Sequence, residues 1–338
     1  MSNLESYPPV FRPLNASPAP APAPLLPQLN NHAMEDSSSF SSVPVPVVDL
    51  QCLSLEELGE ACKEWGLFRL VNHGIPPSLL IKLEEHVKVL FALPFESKQA
   101  LVTNPLSYFW GTPLLTPSGA ALRGALNINL LEGINVPLSQ LPQFQAEDPR
   151  LKDFRQCVEE YGRHLSRIAT TLFEAMLKSL NVCPQQSESG LDESTGFIRL
   201  YRYPPGPLAD EAWGMMEHTD SSVLSIVNQD RVGGLEIFKD NKWLLLNPIS
   251  GTLLVHIGDM MQAISDDRYM SVKHRVRVNK QEERVSICYF VFPGEGTVVR
   301  SSKYKPFTYT DFQAQVQNDT KTLGYKVGLD RFKLNPPV

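Results

Sequence analysis

Two histidines, an aspartate and an Arg/Ser pair carry the chemistry that this sequence makes visible. His218 and Asp220 form an H-x-D pair, and His274 stands in a later segment, SVKHRVRV. On a β-strand, residues two apart point to the same side. His218 and Asp220 can therefore share one metal ion, with His274 reaching it from a neighbouring strand. Two imidazoles and one carboxylate on one face leave about three coordination positions open, the donor set of a non-haem Fe(II) centre that takes up O₂ and a chelating cosubstrate. Further on, Arg284 and Ser286 share a strand face. A guanidinium pairs bidentately with a carboxylate, and a hydroxyl adds a donor. The pair suits the far end of a dicarboxylate whose near end chelates the metal. Singly, each feature has a blander reading: most H-x-D pairs are ordinary, and most R-x-S pairs on strands are solvated. Their gathering in one β-rich region favours a site.

The elements that must position these residues change character along the chain. Residues 1–44 include the run SPAPAPAPLLP, which buries little apolar surface and loses a backbone donor at each proline; this segment is expected to be a disordered or polyproline-II tail. Residues 45–185 form a mixed, mainly helical region. VPVVDL suits a strand, Ser54 and Glu57 suit a capping box before a helix that Gly66 stops, and helical spacing continues through Leu79, Leu83 and Val87. A long helix is predicted from Leu151 to Leu180, its stripe carrying Phe154, Val158, Tyr161, Leu165, Ile168 and Leu172. From 186 to 338 the runs GFIRLYRY, SVLSIVNQD, GLEIFKD, KWLLLNP, TLLVHIGD, KHRVRVN and RVSICYFVFP read as short strands punctuated by Gly, Asn, Asp and Pro. Leu235 to Leu246 reads as a hairpin. The fold class is mainly β with flanking helices: a jelly-roll-like double sheet supported by an N-terminal helical region.

Composition excludes several classes. Hydrophobic residues make up 42% and charged residues 20%, so a sizeable core is available. The net charge of −6 argues against nucleic acid as the partner. No run of about 18 apolar residues is present, so no membrane partner is expected. The five cysteines form no CxxC pair, which points to free thiols in a reducing compartment. The cytoplasm is the expected location, with the nucleus also open to such a chain. No obligate protein partner is indicated.

The motifs PVVDL, EWGLFRLVNHGIP, LYRYPP, EHTDSSVLSIVNQDRVGGLEIF, WLLLNP, HIGDMMQAIS, SVKHRVRVN and ERVSICYFVFP stand together in an order that resembles the plant 2-oxoglutarate- and Fe(II)-dependent dioxygenase superfamily. The resemblance runs from about Val45 to the C-terminus. It implies a distorted double-stranded β-helix with Fe(II) at His218, Asp220 and His274. It implies 2-oxoglutarate as cosubstrate at Arg284 and Ser286, with Tyr203 reaching the same molecule, O₂ as oxidant and ascorbate as reductant. Tyr201 stands where the superfamily often has Asn. His256 stands where it often has Asn too, and is expected in the core or behind the ligands; His73, His86, His164 and His32 are expected not to be ligands. A carboxylate at position 220 favours hydroxylation over halogenation. Within the superfamily, SYFWGTPLLTPSG and KVGLDRF resemble the gibberellin 2-oxidase group, which implies 2β-hydroxylation of a gibberellin; another hormone or specialised metabolite (an auxin, a flavonoid or an alkaloid) is the alternative, and a non-catalytic binding homologue a remote one. That group tends to have YRWG where Phe109 precedes Trp110, and EAFH where Glu132 and Asn135 bracket EGIN. Phe109, Trp110, Glu132 and Asn135 are expected at the substrate mouth.

Overall fold

The computed structural model describes residues 4–12, 44–102, 105–111, 129–144, 148–181, 191, 196–206 and 213–334. Val47–Asp49 (β1) pairs in parallel with Leu67–Val71 (β2), and helix α1 (Leu55–Glu64) lies between them in sequence. The Ser54 hydroxyl caps α1 by accepting from the Glu57 N–H. The chain leaves α1 through Gly66 at φ +66°, where a Cβ would lie 2.2 Å from the Met270 carbonyl oxygen. Both the left-handed backbone and the close approach require glycine. Pro77–Ala92 (α2) starts on its proline, as the missing N–H allows, and Phe95–Leu101 (α3) follows. Pro149–Ser179 (α4) is the long helix read from the sequence, and α1 and α2 pack on it. Its predicted stripe, Phe154 to Leu172, is fully buried.

The strands form a large and a small sheet. Ser107–Trp110 (β3), Glu132–Pro137 (β4), Phe197–Tyr203 (β5), Leu224–Gln229 (β7), Leu253–Ile257 (β10) and Arg284–Val291 (β12) join β1 and β2 in the order β1-β2-β10-β7-β12-β5-β4-β3. Trp213–His218 (β6), Leu235–Lys239 (β8), Lys242–Leu245 (β9) and His274–Arg277 (β11) form the small sheet, in the order β6-β11-β8-β9. The β8–β9 hairpin turns on Asp240 and Asn241 at φ +49° and +59°, a two-residue loop whose twist matches its strands. An apolar layer joins the sheets, with Leu235, Ile237 and Val276 from one meeting Tyr201, Val227 and Leu254 from the other. Asp259–Ile264 (α5), the short pair Val298–Val299 (β13) and Phe307–Thr308 (β14), and Tyr309–Leu323 (α6) complete the order. The fold is the expected jelly-roll with flanking helices.

β1 to β4, from before residue 185, share one sheet with β5, β7, β10 and β12 from after it, so the expected helical region and the expected jelly-roll domain are joined through that sheet. One expectation is corrected: 1–44 is not uniformly a tail. Residues 4–12 dock into the molecule with Tyr7 1% and Phe11 0% exposed. The Ser6 carbonyl accepts from Lys98 Nζ at 2.6 Å and from Arg202 Nη2 at 2.9 Å, and the Tyr7 hydroxyl donates to Glu283 Oε2. The proline-rich composition next to this stretch masked two aromatic anchors whose partners lie far away in sequence. The rest of the expected tail, 13–43 with His32, lies outside the described residues.

Phe11→Ala is expected to lower unfolding stability by about 3 kcal/mol, whereas Val10→Ala at the 44%-exposed neighbour stays within about 0.5 kcal/mol. Urea midpoints measure both, and equal midpoints would show that the segment does not dock.

Candidate active site

His218 closes β6 and His274 opens β11, and the antiparallel register sets them directly opposite. Their ring centroids lie 4.2 Å apart. Asp220 lies just past the end of β6, with Oδ1 3.7 Å from His218 Nε2 and 3.8 Å from His274 Nε2. These distances are too long for hydrogen bonds. They suit a shared ion, since two ligand atoms each about 2.1 Å from one metal lie at most about 4.2 Å apart. Among the described residues these three form the one cluster whose ligand atoms all lie within 4.8 Å of one another. The backbone fixes both tautomers. Each Nδ1 faces a carbonyl, Met216 O at 2.8 Å from His218 and Val272 O at 3.1 Å from His274. A carbonyl can only accept, so Nδ1 carries the proton and Nε2 presents its lone pair to the common point.

The electrostatics suit a cation. Burial lowers His218 and His274 to about 4, more than Asp220 raises them, so both stay neutral. Burial raises the Asp220 carboxyl, but His274, His218 and His256 together draw it below the usual carboxylate range. His256, on β10, is buried edge-on against His274 at 4.7 Å, with neither ring nitrogen partnered. It stands behind the ligands, as expected. His73 is turned to its own loop, its Nδ1 accepting from the Ile75 N–H.

The paired strands β5 and β12 build the remaining wall. Their register places Arg284 opposite Tyr203, Ser286 opposite Tyr201, Cys288 opposite Arg199 and Phe290 opposite Phe197. All eight line one cavity of about 470 Å³ together with His218, Asp220 and His274. Arg284 is 1% exposed, yet its hydrogen bonds go to neutral groups: Ser286 Oγ at 3.1 Å and Gln229 Oε1 at 3.1 Å. Its Nε has no partner. A buried guanidinium in that state fits a carboxylate that arrives with a ligand. The Tyr203 ring lies 4.8 Å from the Arg284 guanidinium, and burial raises its hydroxyl far above the usual range, keeping it an O–H donor.

The four residues expected at the substrate mouth separate. Phe109 lines the cavity, its ring laid over Gly133, where a Cβ would come within 2.4 Å. Trp110 faces away and packs edge-on against Phe11 and Phe95. Glu132 is fully buried in an ion cluster, bonded to Lys98, Arg202 and the Tyr108 hydroxyl. Burial pushes the Lys98 ammonium down to about 8 despite Glu132. Asn135 does not line the cavity itself; half-buried and opposite Arg199 in the β4–β5 register, it shares that residue's face, and its Oδ1 accepts from Arg199 Nε at 2.6 Å. The strand alternation explains the split: Glu132 lies one residue from Leu131, which does line the cavity. The rest of the SYFWGTPLLTPSG segment lies, from Thr112 on, outside the described residues. Arg199, Phe197 and Phe290 were missed, although counting back by twos from Tyr203 and forward by twos from Arg284 reaches each of them.

A jelly-roll holding a His-Asp-His cluster beside a carboxylate-seeking arginine is the frame of an Fe(II)- and 2-oxoglutarate-dependent oxygenase, and the chain belongs to the 2OG-Fe(II) oxygenase superfamily. Residues 194–293 match that family's model, and residues 45–128 match the model of a non-haem dioxygenase in morphine synthesis N-terminal region. Among curated relatives, gibberellin 2-beta-dioxygenase 6 of Oryza sativa subsp. japonica is 35% identical over 85% of this chain and 84% of its own length. Gibberellin 2-beta-dioxygenase 8 of Arabidopsis thaliana is 33% identical over 90% and 93%. The fold is shared with JOX2 crystallised with 2OG, Fe and JA, at TM-score 0.73 and 24% identity over 92% of this chain and 95% of that one. It is shared too with the dioxygenase for auxin oxidation of rice, at TM-score 0.70 and 23% identity over 86% and 99%. The protein is an oxidoreductase that uses Fe(II), 2-oxoglutarate and O₂ on a small molecule. No helix among the described residues is long and apolar enough to cross a membrane.

Glu132→Ala is expected to leave Lys98 and Arg202 buried without their anion and to cost about 3 kcal/mol or more of stability. Urea denaturation measures this, and a selective change in substrate preference at unchanged stability would return Glu132 to the substrate site. A pH effect also follows. In the metal-free protein His256 is held near 4, whereas an unfolded histidine titrates near 6.5. Between those values the unfolded chain binds more protons, so this contribution to stability is complete above pH 6.5 and is lost as pH falls toward 4. His256→Asn is expected to flatten the pH dependence of stability by about one proton in that window; an unchanged slope contradicts it.

Proposed function

We propose that His218, Asp220 and His274 hold the ferrous ion, and that Arg284, Ser286 and Tyr203 hold the distal carboxylate of 2-oxoglutarate. The convergence of the three ligand atoms within 4.8 Å supports the first assignment, and the burial of Arg284 with its hydrogen bonds spent on the neutral Ser286 and Gln229 side chains supports the second. When bound, iron and 2-oxoglutarate together supply the oxidising power, drawing on O₂ and releasing CO₂ and succinate. The protein's own residues supply geometry. The Met216 and Val272 carbonyls hold each imidazole in its donor tautomer. Ser286 and Gln229 aim the Arg284 guanidinium, and Tyr203 adds a hydroxyl donor. Leu131, Met215, Val227, Leu235 and Val276 give the cavity apolar walls that limit water at the reacting centre. Oxidation of a C–H bond needs no general base, and none of these groups is assigned that role.

The substrate best supported is a gibberellin, hydroxylated at the 2β position, in the cytoplasm. The support is the 35% and 33% identity to gibberellin 2-beta-dioxygenases over most of both chains. A second reading, another plant hormone or specialised metabolite, is favoured by Phe109, which walls the cavity where the gibberellin 2-oxidase group tends to carry arginine.

Anaerobic reconstitution with Fe(II) and 2-oxoglutarate, followed by air and a gibberellin panel read by mass, is expected to add one oxygen to a gibberellin and form succinate. His218→Ala should lose turnover by at least about a hundredfold, and Arg284→Ala should raise the 2-oxoglutarate KM about tenfold or more, as loss of a charge-assisted pair predicts. A fully active His218→Ala protein, or an unchanged KM in Arg284→Ala, contradicts the assigned roles. Oxidation of another panel member alone contradicts the gibberellin.

A further inference from the structure

The oxygenase cavity holds a second arginine that neither the metal nor the 2-oxoglutarate clamp uses. Arg199 lies on β5 four residues before Tyr203, on the same strand face, opposite Cys288. Four residues of strand set it about 14 Å along the wall from the Tyr203–Arg284 pair. A five-carbon diacid with one end on Arg284 and the other on the metal does not extend that way, so Arg199 faces the space left for the organic substrate.

The surroundings of Arg199 are those of a guanidinium prepared for an anion. Its Nε donates to Asn135 Oδ1 at 2.6 Å and its Nη1 to the Tyr201 hydroxyl at 3.0 Å. Both partners are neutral, and they fix the plane of the fork. Rings of Phe197, Phe109, Phe290 and Tyr201 lie 5.1, 5.5, 5.6 and 5.8 Å from its Cζ. Among the described residues no carboxylate forms an ion pair with it, although other strand arginines have one: Arg202 of β5 pairs with Glu132, and Arg275 and Arg277 of β11 with Glu236. A cation caged by aromatic faces and open to a cavity gains most from a ligand carboxylate, which a planar fork binds with directional specificity.

We propose that Arg199, oriented by Asn135 and Tyr201, is the specificity residue that anchors a carboxylate of the organic substrate, with the aromatic rings around it packing on the adjacent apolar body. The inference rests on the oxygenase reading of the cavity and narrows its substrate class. Organic acids with a large hydrocarbon body fit, gibberellins and auxins among them. Neutral flavonoids lack the anion, and cationic alkaloids are repelled.

The test is equilibrium binding to the full chain loaded with Fe(II) and 2-oxoglutarate under anaerobic conditions. The probes are a gibberellin and its fully methylated ester, and indole-3-acetic acid and its methyl ester. The acid of whichever pair binds should be favoured over its ester by about 10- to 100-fold, the span of one charge-assisted hydrogen-bonded contact. Arg199→Met should abolish that preference, Arg199→Lys should keep part of it, and the Kd for 2-oxoglutarate should stay unchanged in both. If only the indole pair binds and its preference depends on Arg199, the gibberellin reading falls and the anchor stands. The anchor is overturned if Arg199→Met keeps the acid preference, if the wild type binds neither acid, or if it does not distinguish acid from ester. The wild-type comparison alone decides should the methionine variant fail to fold.

Discussion

The antiparallel pairing of β6 with β11 is the constraint on which the site depends. It sets His274 opposite His218, and the turn after β6 brings Asp220 between them. Because side chains alternate along a strand, a one-residue slip in this register would send one imidazole to the opposite face of the small sheet and leave a single histidine beside Asp220. On the outer side of the sheet Glu236 of β8 takes both Arg275 and Arg277 of β11, which fixes β11 against its other neighbour. Trp213 and Trp243 lie against the Arg275 guanidinium at 4.1 and 3.8 Å.

The opposite wall shows a graded series along one pair of strands. From the clamp outward, β5 and β12 offer a buried arginine with a tyrosine, then hydroxyls, then a second arginine, then two phenylalanines. Polarity therefore falls from the end suited to 2-oxoglutarate toward the end suited to an apolar substrate body, with one cation retained partway. The charges of the second ion cluster, Lys98, Arg202 and Glu132, serve a different purpose. They gather on the far side of the same sheet, where Lys98 and Arg202, held by Glu132, donate to the Ser6 carbonyl of the N-terminal segment. One sheet thus has a face that lines the cavity and a face that holds its own chain.

Much of this was legible in the sequence. The H-x-D pair, the later histidine and the R-x-S pair are local patterns on strands, and period-two alternation alone predicts which side chains share a face. The long helix from Pro149 and the hairpin at Asp240–Asn241 follow from periodicity and turn chemistry in the same way. What sequence did not show depends on partners distant along the chain. Glu132 is an acidic residue next to a pocket residue, and only the burial of Lys98 and Arg202 beside it reveals that it is an internal counter-ion. Tyr7 and Phe11 were hidden by the prolines that follow them. The sheet shared across residue 185 could not be read from a change in local propensity, because β1 to β4 are short strands set among helices.

Anaerobic equilibrium dialysis against Fe(II) measures whether His218, Asp220 and His274 hold the ion. One ferrous ion per folded wild-type chain is expected, with retention falling toward zero in a folded His274→Ala variant. A variant lacking that imidazole which still keeps its iron as tightly as the wild type would contradict it, because the ion would then be held somewhere other than between β6 and β11.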